Sequence, residues 1–271
     1  MKLAGIVLLG VLGITSLVPV TLAQPAIKQV TLGVLDATGT GPSAALIAAL
    51  RDLGYQEGRN LTIEFRSANG RNEELPRLAA ELVSLKPDVI VATGTAVVLA
   101  VKQATGSIPI VIGASGDPVG YGLVQGLAHP GANVTGRSDS AGEVGPKRIQ
   151  LAMETLPGLC CVARLGNPTN PGNVASLLAN RSAWASLGIE VKAIEAATPD
   201  QLKEVLAAPL DDRFKALLIA PDAMLAAHRV QIAEAALRRG LATFGFFPDD
   251  ARAGFLEAYG ENPANASAVT F

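Results

Sequence analysis

Cysteine is nearly absent from this chain: 271 residues contain two, Cys160 and Cys161, side by side. That excludes a disulfide scaffold, and a bridge between neighbours is disfavoured by the geometry of adjacent Cβ atoms. The spacing of a thiol redox or metal motif, such as C-x-x-C, is missing as well. With Leu159 and Val162 on either side, the pair reads as the start of a buried strand. The two histidines, His129 and His228, are far apart, with no Cys or carboxylate at ligand spacing, and read as surface residues. No metal and no cofactor is therefore expected. Aromatic residues make up only 4% of the chain and charged residues 17%, with a net charge of −2 and no basic run. This gives no footprint for nucleic acid or for an anionic membrane surface.

The space is filled by aliphatic residues. Hydrophobic residues reach 49%, a composition that builds a globular core and does not describe a disordered chain. At the N-terminus, Lys2 precedes an apolar stretch from Leu3 to Leu17, followed by Pro19-Val20-Thr21-Leu22-Ala23. Small residues at Thr21 and Ala23 suit a signal peptide over residues 1–23, cleaved after Ala23; an uncleaved anchor is the alternative. Gln24 at the next position, where a lipid anchor needs Cys, argues against lipidation. After Ala23 no apolar run reaches the roughly 18 residues of a membrane span, so a soluble mature protein is expected.

The rest alternates short apolar runs with amphipathic stretches. Strands are expected at Gln29–Asp36, Leu61–Arg66, Asp88–Ala92, Ile108–Gly113 and Asn133–Gly136. Helices are expected between them at Pro42–Leu53, Asn72–Leu85, Thr95–Gln103 and Gly122–Ala128. The programme then repeats: helix Gly145–Leu156, strand Cys161–Gly166, helix Val174–Leu187, strand Ile189–Ile194, helix Pro199–Ala207. It closes with strand Ala216–Ala220, helix Ala223–Arg239, and short strands at Thr243-Phe244 and Gly254–Tyr259. Alternating strands and helices imply parallel sheets with right-handed crossovers. Two such runs make this an α/β protein of two doubly wound parallel-sheet lobes, residues 24–136 and 137–260, with an atypical tail at 261–271.

Ligands of such sheets bind beyond the carboxyl ends of the strands, where helix N-termini offer free N–H groups to an anion. The polar loops expected there are Asp36-Ala37-Thr38-Gly39, Thr93-Gly94-Thr95, Ala114-Ser115-Gly116-Asp117-Pro118, Asn167-Pro168-Thr169-Asn170-Pro171 and Pro221-Asp222. Each has a plain structural alternative. Thr95 and Asp222 suit helix caps, and Asp117, Asn167 and Asn170 suit turns. Phe246-Phe247 could wall a ligand or fill the core. Enzyme motifs are missing: no G-x-S-x-G elbow, no phosphate-loop G-x-x-x-x-G-K-[ST], no G-x-G-x-x-G opening the first helix.

The order of motifs resembles the ABC-type substrate-binding family related to tryptophan and tyrosine importers. The residues that carry it run from Leu50-Arg51-Asp52-Leu53-Gly54-Tyr55-Gln56-Glu57-Gly58-Arg59-Asn60 through Leu78–Val83, Pro87–Ala92 and Ile108–Val111. They continue with Gly116–Gly120, Pro130–Gly136 and Asn167–Pro171. The resemblance implies a periplasmic-binding-protein-like fold of type I, with hinged lobes enclosing a small molecule, an amino acid or related carboxylate. It implies a periplasmic monomer without catalysis, partnered by ABC permease and ATPase subunits of an importer. A periplasmic sensor serving a receptor, or a small exported enzyme, are the alternatives. By position it implies Gly94 and Thr95 for the ligand carboxylate, with Thr38, Asp117 and Thr135 near the cleft. Asn167, Asn170 and Asp222 would face them from the second lobe, with Asp117 or Asp222 as partner of an α-amino group. The resemblance fails at Glu261–Phe271, where family members continue with a further helix, so a truncated product is expected.

Overall fold

The computed structural model describes residues 29–138 and 144–260. The expected signal peptide and the atypical tail lie outside the described residues. The first lobe runs β1 (Val30–Asp36), α1 (Ala44–Asp52), β2 (Leu61–Ser67), α2 (Leu75–Ser84), β3 (Val89–Thr93), α3 (Thr95–Ala104), β4 (Ile110–Ala114) and β5 (Val134–Gly136). The second opens with α4 (Gly145–Thr155), β6 (Cys161–Gly166), α5 (Pro171–Ser186), β7 (Glu190–Glu195) and α6 (Pro199–Ala207). It continues with β8 (Ala216–Ile219), α7 (Ala223–Ala227), α8 (Arg229–Arg238), β9 (Ala242–Gly245), α9 (Pro248–Arg252) and β10 (Glu257–Ala258).

Each lobe holds one five-stranded sheet, ordered β2-β1-β3-β4-β5 in the first and β10-β9-β8-β6-β7 in the second. Every ladder is parallel. Counted from its own first strand, the second sheet repeats the 2-1-3-4-5 order of the first. The sequence dictates this. Central strands such as Val89–Thr93 and Ala216–Ile219 are apolar on both faces, so each needs cover on both sides. In the first lobe Leu82, Val98 and Val101 cover one face while Leu46 and Leu50 cover the other. In the second, Leu202, Leu225 and Ile232 cover one face and Ile149, Ala152 and Trp184 the other.

Three expectations need correction. Gly122–Ala128 is not a helix but a run of turns. Gly122 adopts φ +65°, and the N–H groups of Leu123 and Val124 turn back to the Pro118 carbonyl while Gln125 bonds to Pro130. The prolines thus take the hydrogen bonds a helix needs, and Leu123 and Val124 are buried without one. The helix expected over Ala223–Arg239 is two. His228 breaks it with φ −108°, its Nδ1 lying 2.9 Å from the Met224 carbonyl oxygen, which satisfies the end of α7 from the side chain. His228 is therefore half-buried and not a free surface residue. The strand expected over Gly254–Tyr259 shrinks to Glu257–Ala258, because Pro248 and the Asp250 carboxylate start the unexpected short helix α9 just before it.

Gly136 ends β5, where the chain leaves the first sheet. Its φ is +136°, and a Cβ there would run into the backbone of Ile112 on β4. Gly136→Ala is expected to cost roughly 2 kcal/mol or more, through both the backbone conformation and the clash. Urea denaturation of the two proteins measures it; a loss below about 0.5 kcal/mol would mean β5 is free to shift.

Candidate functional site

In a sheet of order 2-1-3-4-5 the crevice opens between strands 1 and 3, where the winding reverses. The first lobe therefore offers the loops after β1 and β3, the second those after β6 and β8. The polar residues of this chain gather at these four places.

After β1, the buried Asp36 carboxylate accepts from the Gly39 N–H at 3.0 Å and the Thr38 hydroxyl at 3.0 Å. After β3, Gly94 takes φ +99° and turns the chain into α3. No side chain caps that helix, so its N-terminal N–H groups are open to another acceptor. Thr95, its first residue, is buried, and its Oγ1 lies 3.1 Å from the Oγ of Ser115, which follows β4 and is 1% exposed.

In the second lobe one carboxylate organises the loops. Asp222 caps α7 by accepting from the N–H groups of Met224 at 2.9 Å and Leu225 at 3.2 Å. Asn167 Nδ2 donates to its Oδ1 at 3.3 Å and Asn170 Nδ2 to its Oδ2 at 2.9 Å. Asn170 in turn caps α5, its Oδ1 accepting from the Gly172 N–H at 3.0 Å. Asn167 Oδ1 accepts from the Thr169 N–H and hydroxyl at 3.0 and 2.7 Å. Behind this network lie two buried arginines. Arg148 donates to the strand-end carbonyls of Ile219 and Phe244 at 2.7 and 2.8 Å, and burial pushes its pKa down to about 9. Arg164 bonds to the Asn173 carbonyl and the Ser176 hydroxyl, and burial pushes it down to about 10.

The two lobes meet across these loops. A Cβ on Gly172 would stand 3.3 Å from Thr95 Oγ1, so the first turn of α5 abuts the first turn of α3. The Tyr121 hydroxyl donates to the Gly172 carbonyl at 3.4 Å, Asn72 Nδ2 to Thr169 Oγ1 at 3.2 Å, and Ala223 packs on the first lobe's core. The arrangement is a closed one.

Residues 35–263 match the family described as ABC transporter substrate binding protein. The chain belongs to that family. Such binding proteins hold small molecules for ABC transporters, and the family is one of binding proteins, not enzymes. A tyrosine-binding protein from Clostridioides difficile is 43% identical over 93 residues, 34% of this chain and 27% of that relative's own length. A conserved domain protein from Vibrio cholerae superposes with TM-score 0.75 and 26% identity, covering 84% of this chain and 77% of the other. A domain from Streptococcus pneumoniae in complex with L-Trp superposes with TM-score 0.75 at 19% identity, covering 86% of this chain and 80% of that one. The fold is thus the type I periplasmic-binding-protein architecture. Among the described residues no helix is long and apolar enough to cross a membrane.

Within this binding-protein frame the expected residues fall into two groups. Thr38, Gly94 and Thr95 stand at the first crevice, and Asn167, Asn170 and Asp222 form one network at the second. Asp117 and Thr135 join neither. Asp117 is exposed and holds its own turn, accepting from the Gly120 N–H at 2.8 Å. Thr135 sits mid-strand opposite Val111, upstream of the carboxyl end. Phe246 belongs to the core at 1% exposure, with Phe247 against its edge. Two residues at the lobe contact, Asn72 and Tyr121, were not expected. Asp36 and Ser115 were expected only as members of their crevice loops, and the structure gives each a hydrogen-bonded place there.

Proposed function

We propose that this protein captures a small α-amino acid, or a closely related carboxylate, between its lobes outside the cytoplasmic membrane. It then hands the solute to the permease and ATPase subunits of an ABC importer. One observation carries the reading: the uncapped N-terminus of α3 abuts the Asn170-capped first turn of α5 across the lobe contact, with the Thr95 and Ser115 hydroxyls 3.1 Å apart at the carboxyl ends of β3 and β4. Two positive helix ends facing each other are stabilised by an anionic group, and a carboxylate suits N–H and hydroxyl donors. The Asp36 and Asp222 carboxylates, one from each lobe, supply the opposite charge that a buried ammonium requires. Thr38 holds Asp36, and Asn167 and Asn170 hold Asp222. The 43% match to a tyrosine-binding protein and the likeness to a domain that holds L-Trp support an amino-acid ligand.

The test is thermal melting of the protein with a panel of amino acids and small carboxylates. At a hundredfold excess over Kd a ligand adds about 2.7 kcal/mol, which for a chain of this size is roughly 5–10 °C. Thr95→Ala removes a hydroxyl from the carboxylate and is expected to weaken that ligand by about ten- to a hundredfold. Isothermal titration measures it. No shift from any α-amino acid overturns the ligand class, and unchanged affinity in both Thr95→Ala and Ser115→Ala overturns the site.

A further inference from the structure

The two thiols lie at the opposite end of the second lobe from the crevice. Cys160 stands just ahead of β6 and is exposed; Cys161 begins the strand and is 2% exposed. Their Sγ atoms are 2.6 Å apart, against about 2.05 Å in a disulfide bond. Both side chains therefore turn to the same side, although successive residues of a regular strand alternate. Cys160 stands just before the first ladder pair, Cys161 with Glu190, its carbonyl accepting from the Glu190 N–H at 2.9 Å. Around the thiols stand Arg213, with Nη1 at 4.0 Å from Cys161 Sγ, and Glu190, with Oε2 at 4.0 Å. Arg213 is also paired with Glu190 at 3.0 Å and Asp211 at 3.2 Å.

We propose that Cys160 and Cys161 form a reversible redox site, closing to a disulfide between neighbours by exchange with a low-molecular-weight disulfide. The Cys160 thiolate attacks one sulfur of the oxidant R–S–S–R, giving a mixed disulfide and releasing one R–S⁻. The Cys161 thiolate then attacks Cys160 Sγ, forming the Cys160–Cys161 bond and releasing the second R–S⁻. Two protein thiols lose two electrons and two protons, and the oxidant becomes two thiols. Exposure decides the order, because only Cys160 can be reached from solution. Contact with the Cys160 thiol, followed by burial, pushes the Cys161 thiol up to about 11 while the pair is reduced. Once Cys160 carries a leaving group that contact is gone; burial and the Glu190 carboxylate still oppose the Cys161 thiolate, and the Arg213 guanidinium favours it. Reversibility follows from adjacency: neighbouring Cα atoms are held about 3.8 Å apart, short of the usual 4.4 Å or more. A bridge under that constraint is an easily reduced one.

The experiment is intact-mass analysis of the purified, reduced and desalted chain after incubation with oxidised glutathione. The wild type is expected to lose the mass of two hydrogens without a lasting adduct, and to regain it with dithiothreitol. Cys161→Ser is expected to hold one stable glutathione adduct on Cys160. Cys160→Ser, which alters only the exposed thiol, is expected to stay unmodified and serves should the buried substitution not fold. A wild-type chain that keeps its adduct, or does not react, overturns the proposal. Neither result bears on the crevice, which lies at the other end of β6.

Discussion

Asp222→Ala is expected to destabilise the protein by about 3 kcal/mol, lowering its melting temperature by roughly 10 °C. The carboxylate serves four donors: two N–H groups of α7 and the side-chain amides of Asn167 and Asn170. An ionised carboxylate is the side chain that accepts four hydrogen bonds and donates none. Removing it costs about 1 kcal/mol for the lost cap. It also leaves two amides without an acceptor near a residue only 5% exposed, at about 1 kcal/mol or more each. Asp222→Asn separates the two parts. Asparagine still caps a helix, but its own NH2 meets the Asn170 NH2, so about half of the loss is expected to remain. If Asp222→Ala melts within 2 °C of wild type, the network does not hold the second lobe's crevice together. In ligand titrations the alanine variant is expected to lose affinity even at temperatures where it stays folded, because Asn170 no longer fixes the first turn of α5.

The alternation of strands and helices was legible because each strand is a short aliphatic run and helices end at a stop such as Gly54, Gly188 or Gly240. The crevice loops were legible for a related reason. Parallel strands must end in a turn toward a helix, and the polar residues after Asp36, Thr93, Gly166 and Ile219 had nowhere else to be. What joined them was not legible. Asp222 meets Asn167 and Asn170 across 55 and 52 residues, and Asn72 meets Thr169 across 97, through sheet order and lobe approach that no local pattern encodes. Gly122–Ala128 misled because Leu123, Val124 and Leu127 carry helical spacing; two flanking prolines, outside that window, decided its hydrogen bonds. Asp117 shows the same limit. Its place in a loop beyond a strand end was readable, and the geometry adds that it accepts from the Gly120 N–H of its own turn.

Gly172→Val is expected to weaken ligand binding by about ten- to a hundredfold while leaving both lobes folded. Gly172 is the second residue of α5, where valine is no worse for a helix than glycine; inside the lobe its Cβ meets the capping Asn170 Oδ1 at 3.2 Å, so the cap has to give by a few tenths of an ångström without unfolding the lobe. Its Cβ, however, would already stand 3.3 Å from Thr95 Oγ1, and the two methyls of valine have to go further into the first lobe. Overpacking of this kind costs roughly 1–3 kcal/mol, and the share that arises against Thr95 falls only on the closed arrangement. A ligand held by both lobes must supply that energy from its own binding, which reduces its apparent affinity by the same amount. Gly172→Ala, with contacts of 3.2 and 3.3 Å, is expected to fall between valine and wild type. Small-angle scattering should show the valine variant more open, with a melting temperature in the absence of ligand lowered by no more than about 4 °C. Wild-type affinity in Gly172→Val would mean that the ligand is held by one lobe and that the meeting of α3 and α5 is not the binding state. A graded loss from glycine through alanine to valine, with Thr95→Ala weakening the same ligand, would tie closure and carboxylate recognition to the same two helix ends.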